Sequence, residues 1–248
     1  MLVFILKRLF TLFLTMLCLS FIVFSLVTIE PNLKKLALNQ ANMRMEEEAV
    51  QTWLEKNGYK RPLLVQYSEW LGNALTGDFG YSTHFKKPVN DVVWPKLWHT
   101  GILMFWVLIL TIPISLLIGV VSGMREGSKT DRALSVFSII TTSVPQYVSG
   151  ILFTIILSSW LKLFKGVAKA GNITFENFTL PVLTIVLYDI GYIARMTRAS
   201  MVEVMNAQYI RTARLKGMSF ISVVFKHALR NALIAPFTVI MLQFPWLL

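Results

Sequence analysis

Cysteine is almost absent from this chain of 248 residues: Cys18 stands alone within an apolar run, which excludes an internal disulfide. Histidine is scarce as well, and His84, His99 and His227 are too scattered for metal-ligand spacing, so no metal is expected. No G-x-x-x-x-G-K-[ST] phosphate loop is present. Gly123 to Thr130 (GMREGSKT) comes nearest, but it has one residue too many between Gly127 and Lys129 and no strand before it. No nucleophile and base pair can be argued either. The chain is therefore expected to be non-catalytic, without cofactor, and unable to hydrolyse ATP by itself. Acidic residues are few, 13 against 24 basic ones, for a net charge of +11. That surplus is concentrated beside apolar segments, where membrane topology accounts for it, so nucleic acid is not an expected partner.

What the chain has in abundance is uncharged apolar sequence. Hydrophobic residues make up 55% and the mean hydropathy is +0.60, beyond what a soluble domain carries. Leu9 to Ile29 is 21 residues without a charge. As a helix it would be about 31 Å long, matching a bilayer core of about 30 Å. Gly101 to Met124 and Ala133 to Leu161 are equally free of charge, Phe178 to Ala194 contains only Asp189, and Asn231 to Leu248 is a fifth run. The expected fold is an all-α, polytopic helical membrane protein with five readable spans. Lys7 and Arg8 before the first run also suit a signal peptide, but the run is too long and lacks a small-x-small cleavage site, so an uncleaved span is expected.

Orientation follows from the loops. Residues 30–100 carry nine basic and eight acidic residues, residues 125–132 a net +1 and residues 195–231 a net +6, which places the last two and the N-terminus in the cytoplasm. The loop 162–177, with Lys162, Lys165 and Lys169 against Glu176, opposes this assignment and is outweighed. Three stretches result: a first span (1–30), an external loop (31–100), and a transmembrane core (101–248) with the cytoplasmic loop 195–231. Within the external loop, Met45 to Lys56 reads as a helix stopped by Asn57-Gly58. Pro62 opens a second, with Leu63, Leu64, Tyr67, Trp70, Leu71 and Ala74 on one face and Gly77 at its end. This helix suits the membrane interface, a platform for a soluble partner, or a packed cap over the spans.

Polar residues inside spans mark any pathway. Thr141, Thr142, Ser143, Pro145 and Gln146 cluster in the third run, where Pro145 removes a backbone hydrogen bond. They read either as a kink lining a path or as ordinary packing between helices. Asp189 would cost about 2.5 to 3.5 kcal/mol near a bilayer centre and so needs a partner or water. Six residues from Arg195, about 9 Å along a helix, pairing with a basic residue is expected; contact with a solute is the alternative.

The segment Arg195–Arg230 carries Arg195, Arg198, Arg211, Arg214, Lys216, Lys226 and Arg230 against Glu203. Its pattern predicts a helix from about Met201 to Lys216, a left-handed turn at Gly217, and a second helix from Ser219 with Ile221, Val224, Phe225 and Ala228 on one stripe. Its wording, YIRTARLKGMS followed by HALRNALIAP, resembles the EAA coupling loop of binding-protein-dependent ABC transporter permeases. Arg211, Thr212 and Ala213 stand at the triplet, Gly217 at the glycine and Leu229 at the leucine, while Arg230 replaces the usual proline. RPLLVQYSEWLGNALTGDFGYS, from Arg61 to Ser82, is similar to the segment after the first span in the subfamily that imports dipeptides, oligopeptides, nickel or glutathione.

The resemblance implies a type I importer permease in a bacterial inner membrane. Its partners would be a second, non-identical permease, two ATP-binding subunits and an external solute-binding protein, and its cargo would be di- or oligopeptides before the nickel or glutathione that permeases with the same motifs carry. Gly217, Met218 and Phe220 would seat the loop in an ATP-binding subunit, with Arg211 and Arg214 as peripheral polar contacts. Those arginines would also attract anionic membrane lipid, at about 1 kcal/mol each. Ser143, Pro145, Gln146 and Asp189 are the candidates for the translocation path. Because the family usually has a sixth span, the resemblance further implies an incomplete subunit whose C-terminus lies on the external side and which transports little alone. A membrane-anchored scaffold or sensor that binds ligand through the external loop is the alternative.

Overall fold

The computed structural model of the chain describes residues 1–41, 46–166 and 173–247. Met45, Lys169 and Leu248, which figure in the expectations above, lie outside the described residues. Two units, Met1–Lys96 and Leu97–Leu248, divide the chain.

In the first unit, α1 (Leu2–Val27) buries no residue of its own, and most of its Leu, Phe and Ile side chains are exposed. Such a surface suits hydrocarbon rather than water. Next comes α2 (Glu30–Ala41), which the sequence reading did not anticipate, and then α3 (Glu47–Lys56). Ala37, Val50 and Leu54 form a small core between these two helices, with Leu33, Trp53 and Tyr59 around it. Lys34 ties them further by pairing with both Glu30 and Glu47. As expected, α3 stops at Asn57-Gly58, where Gly58 takes a φ of +78°. Pro62 precedes α4 (Leu63–Leu75), and Gly77 follows it at φ +90°. The expected apolar face of α4 is only partly used. Tyr67 packs edge-on against Phe21 and Phe24 of α1, with centroids 5.1 and 5.5 Å away, and its hydroxyl shares a 2.7 Å hydrogen bond with Ser20. Leu64, by contrast, is 70% exposed. A hairpin of two short strands, β1 (Tyr81–Ser82) with β2 (Lys87–Pro88), closes the segment.

The second unit takes in α5 (Val89–Met124) from Leu97 on, then α6 (Lys129–Ser143), α7 (Gln146–Phe153, continued by π-helical turns over Thr154–Trp160) and α8 (Phe175–Met205). Small residues bring these helices close. Thr111, Ser115, Gly119 and Gly123 repeat every four residues along α5 and are all buried. A Cβ on Gly119 would lie 2.4 Å from the Thr197 Cβ and 2.6 Å from the Ala194 carbonyl oxygen, so only glycine allows this approach of α8. On another face of α8, Gly191 meets Ser138 and Thr141 of α6 as closely.

Among the described residues three helices, α1, α5 and α8, are long and apolar enough to cross a membrane, or up to five spans if each of two bent pairs counts as one. The third run is one of these pairs. It is no single rod, because α6 and α7 meet at 93°. Pro145 provides the cause. It supplies no N–H, and it forces the preceding Val144 into extended backbone (φ −89°, ψ 121°).

The expected helix Met201–Lys216 is also broken. Here α8 ends at Met205, Ala207 is extended, and α9 (Gln208–Leu215) begins anew. Met201 and Ile210 are both buried in one core. Nine residues apart, they would face opposite sides of a continuous helix, so burying both requires the break. The chain then runs through α10 (Phe220–Val223), a π-helical turn (Val224–Ala228), α11 (Leu229–Ala232) and α12 (Ile234–Leu247), with a 44° bend before α12.

Candidate functional site

Two places in the second unit combine the residues singled out in the sequence. The first is the segment after α8. Asn206 closes α8 by donating its N–H to Val202 O and reaches Glu126 Oε2 with its side-chain amide at 3.4 Å. From α9, Ile210 and Ala213 point inward, while Arg211, Thr212, Arg214 and Leu215 face out. The Thr212 hydroxyl is already used, donating to Gln208 O at 3.1 Å.

The helix ends in a Schellman turn: Gly217 N–H donates to Arg214 O (3.0 Å) and Met218 N–H to Ala213 O (3.4 Å). Gly217 has a φ of +77°, with open space where a side chain would stand. Its requirement for glycine is thus one of backbone conformation alone. Ser219 then caps α10 by accepting a hydrogen bond from Ser222 N–H at 3.3 Å.

Beneath this turn lies a core of Met201, Ile210, Ala213, Val223, Val224, Ala228 and Ala232, against which the half-buried Met218 packs. Above it stand Phe220, 49% exposed, with the Arg214 guanidinium 5.8 Å from its ring centre, and Ile221 and Phe225, each 69% exposed. The expected stripe of Ile221, Val224, Phe225 and Ala228 is therefore split. Val224 and Ala228 are buried and the other two are not, because the π-helical turn changes the angular spacing. Tyr209 and Asn231 link the two ends of the segment through a 2.9 Å hydrogen bond. The result is an apolar ridge on a firm base.

A polar node that the sequence reading missed sits beside this base. Asp131, 2% exposed, accepts hydrogen bonds from Ser122 Oγ (2.6 Å), Gly127 N–H (2.9 Å), Ser135 Oγ (3.2 Å), and Arg198 Nε and Nη2 (2.5 and 2.7 Å). It thereby joins the end of α5, the turn after it, α6 and α8. Its own N–H donates to Ser128 Oγ, the N-cap of α6. The sequence signal was the spacing Ser128-x-x-Asp131, which marks a helix start. Arg198 is thus part of α8 and paired with Asp131, not a residue of the expected loop 195–231.

The second place is a cavity of about 600 Å³ at the bend between α6 and α7. Pro145, Gln146 and Tyr147 line it from α7 and the bend, Tyr188, Asp189 and Tyr192 from α8, and Gln243 and Trp246 from α12. Three of the four path candidates, Pro145, Gln146 and Asp189, come together here. Ser143 does not, as it is exposed and donates to Ile139 O at 2.8 Å. Thr141 also serves packing, against Gly191. Asp189 is 1% exposed and, among the described residues, forms no ion pair. The expected basic partner fails because α8 continues unbroken past Arg195, which faces out. In its place Gln243 Nε2 donates at 3.5 Å, at the limit of a hydrogen bond. Gln146 Nε2 is buried with no hydrogen-bond partner among the described residues. A second cavity, of about 570 Å³, shares Gln146 and Tyr147 and continues between α7 and α8 past Gly150, Thr154 and Thr184. No group of three or more His, Cys, Asp or Glu side chains among the described residues could hold a metal.

Comparison with known proteins agrees with this architecture. The family described as binding-protein-dependent transport system inner membrane component matches residues 115–248, and its N-terminal companion matches residues 1–100. The chain is 37% identical to the oligopeptide transport system permease protein AppB of Bacillus subtilis, over 78% of this chain and 64% of that protein. It is 33% identical to the probable peptide ABC transporter permease protein y4tP of Sinorhizobium fredii, over 99% of this chain and 80% of that one. To the glutathione transport system permease protein GsiC of Escherichia coli it is 32% identical, over 100% and 79%. The chain spans about 64% of AppB's length. It belongs to the family of binding-protein-dependent transport system inner membrane components, and it is a multi-pass helical membrane protein.

Proposed function

We propose that this chain is the non-catalytic permease subunit of an ABC importer for short peptides. In that assembly it pairs with a second, non-identical permease and two ATP-binding subunits, receives solute from an external binding protein, and has its N-terminus and the 195–231 segment in the cytoplasm. The observation that carries the reading is the ridge of Phe220, Ile221 and Phe225 on its packed base, next to the glycine-dependent turn. Exposed aromatic and aliphatic side chains on a rigid support suit the groove of a partner domain and transmit its movement as a rigid body. The base includes Met201 near the end of α8 and Val120 and Met124 near the end of α5, so a push on the ridge reaches two long helices directly. Arg214 beside Phe220 and the exposed Arg211 on the same helix suit either acidic groups of the partner or anionic lipid headgroups.

The cavity at the α6–α7 bend supports the transport half of the reading. Broken helices and buried polar groups persist in membranes where they line a protected pathway. No observation favours the scaffold or sensor. The test is reconstitution of the chain with its partner subunits and binding protein in vesicles. Peptide-loaded binding protein should stimulate ATP hydrolysis and drive labelled peptide inward. Hydrolysis that ignores the binding protein, with no uptake, would refute the proposal.

A further inference from the structure

From the cavity at the α6–α7 bend we infer a recognition site for the free amino terminus of a peptide, with Asp189 receiving the ammonium group and Gln146 the first carbonyl. The inference takes its ligand class from the importer reading above and adds the chemistry of contact.

Asp189 is fully withdrawn from solvent, and its described hydrogen bonding is limited to the long contact with Gln243, so most of its acceptor capacity is unused. A carboxylate kept in such a place without a cation is costly unless a ligand supplies one. Neither this cavity nor the adjoining one is lined by Lys, Arg or His, so nothing in them competes for the carboxylate. Tyr188, Tyr192 and Trp246 line the same cavity, and aromatic rings attract an ammonium through their quadrupoles. A single carboxylate among aromatics suits an organic ammonium better than a small metal cation, which calls for several oxygen ligands.

The second independent feature is Gln146. Its side-chain nitrogen is a buried donor without an acceptor, on the wall shared by the two cavities. The amino-terminal residue of any peptide offers the matching pair, an ammonium and, two bonds on, a carbonyl. The adjoining cavity, lined by Gly150, Ile151, Thr154, Leu180 and Thr184, then receives the rest of the chain without charge selection, as a pathway for peptides of varied sequence requires.

The experiment uses the assembled complex in lipid nanodiscs without binding protein, with equilibrium dialysis of radiolabelled tri-alanine and N-acetyl-tri-alanine as probes. The native complex should bind tri-alanine about tenfold or more tightly than its acetylated form, since a charge-assisted hydrogen bond is lost on acetylation. Asp189→Asn should abolish that preference, Asp189→Glu should keep it, and Gln146→Leu should weaken both peptides alike. Equal binding of the two peptides, no binding of tri-alanine, or a preference that survives in Asp189→Asn would overturn the inference. If Asp189→Asn fails to assemble, the comparison of the two peptides on the native complex decides alone. Absence of ATP-driven uptake in the vesicle assay would overturn the importer reading instead and leave the amine preference standing.

Discussion

Asp131 and Asp189 are both withdrawn from solvent, 2% and 1% exposed, in helices that touch one another, yet they differ in company. Asp131 accepts five hydrogen bonds, two of them from one guanidinium, and joins three helices and a turn. Among the described residues Asp189 accepts one long bond, and it lines the cavity at the α6–α7 bend. Burial is therefore no guide to role. A carboxylate whose acceptor sites are filled by its own fold holds the fold, and one whose sites are left open is available to something else.

If that contrast is right, the largest effect on stability comes from Asp131. Asp131→Ala should lower stability by about 3 kcal/mol, at the low end for a broken buried pair because Arg198 keeps part of its exposure. Thermal unfolding of the purified chain in detergent checks this. A double-mutant cycle with Arg198→Ala should return a coupling energy well above zero. A variant as stable as the native chain would remove the structural half of the contrast.

Next in size is Gly119→Ala, about 2 kcal/mol by overpacking, because the added methyl meets the Ala194 carbonyl oxygen, which has no rotamer to yield. It forces α5 and α8 apart where the Asp131 node bridges them. The same unfolding measurement should show loss of stability with Asp131 intact. Ordinary stability would mean that the helices slide cheaply and the node alone holds them.

How far could these features be read from the sequence? The spans could, because uncharged runs follow directly from hydrocarbon solubility. So could the turn at Gly217, because one residue type answers one backbone requirement. The break at Asn206-Ala207 could not, since it arises from burying Met201 and Ile210 in the same core, a condition that exists only once the segment folds back. The pairing of Asp131 with Arg198 spans 67 residues and leaves only a helix-cap spacing as local trace. For Asp189 the expected basic partner is not found among the described residues. Counting residues to Arg195 gave a distance along the helix, whereas direction around it decided the outcome.

Smaller still in stability is Gly217→Val, about 1 kcal/mol, since the site is open and only the left-handed backbone resists a β-branched residue. Its effect should fall on coupling. Membrane insertion and assembly should persist while binding-protein-stimulated ATP hydrolysis and peptide uptake fall together. Full coupled transport by this variant would show that the turn does not position the ridge.

The smallest stability effect belongs to Asp189→Asn, and it is the sharpest test of the contrast. Replacing a carboxylate by an isosteric amide removes a buried charge that no cation balances, so the folded state loses a desolvation cost and surrenders only a 3.5 Å hydrogen bond. The variant should unfold within about 1 kcal/mol of the native chain or at higher temperature, whereas Asp131→Asn, which leaves Arg198 beside a neutral amide, should unfold earlier. Measured side by side in the same detergent, the two isosteric changes differ only in the company that each carboxylate keeps. If Asp189→Asn destabilises as much as Asp131→Asn does, then Asp189 is held by the fold after all, and the cavity beside it is a packing defect with no claim on a ligand.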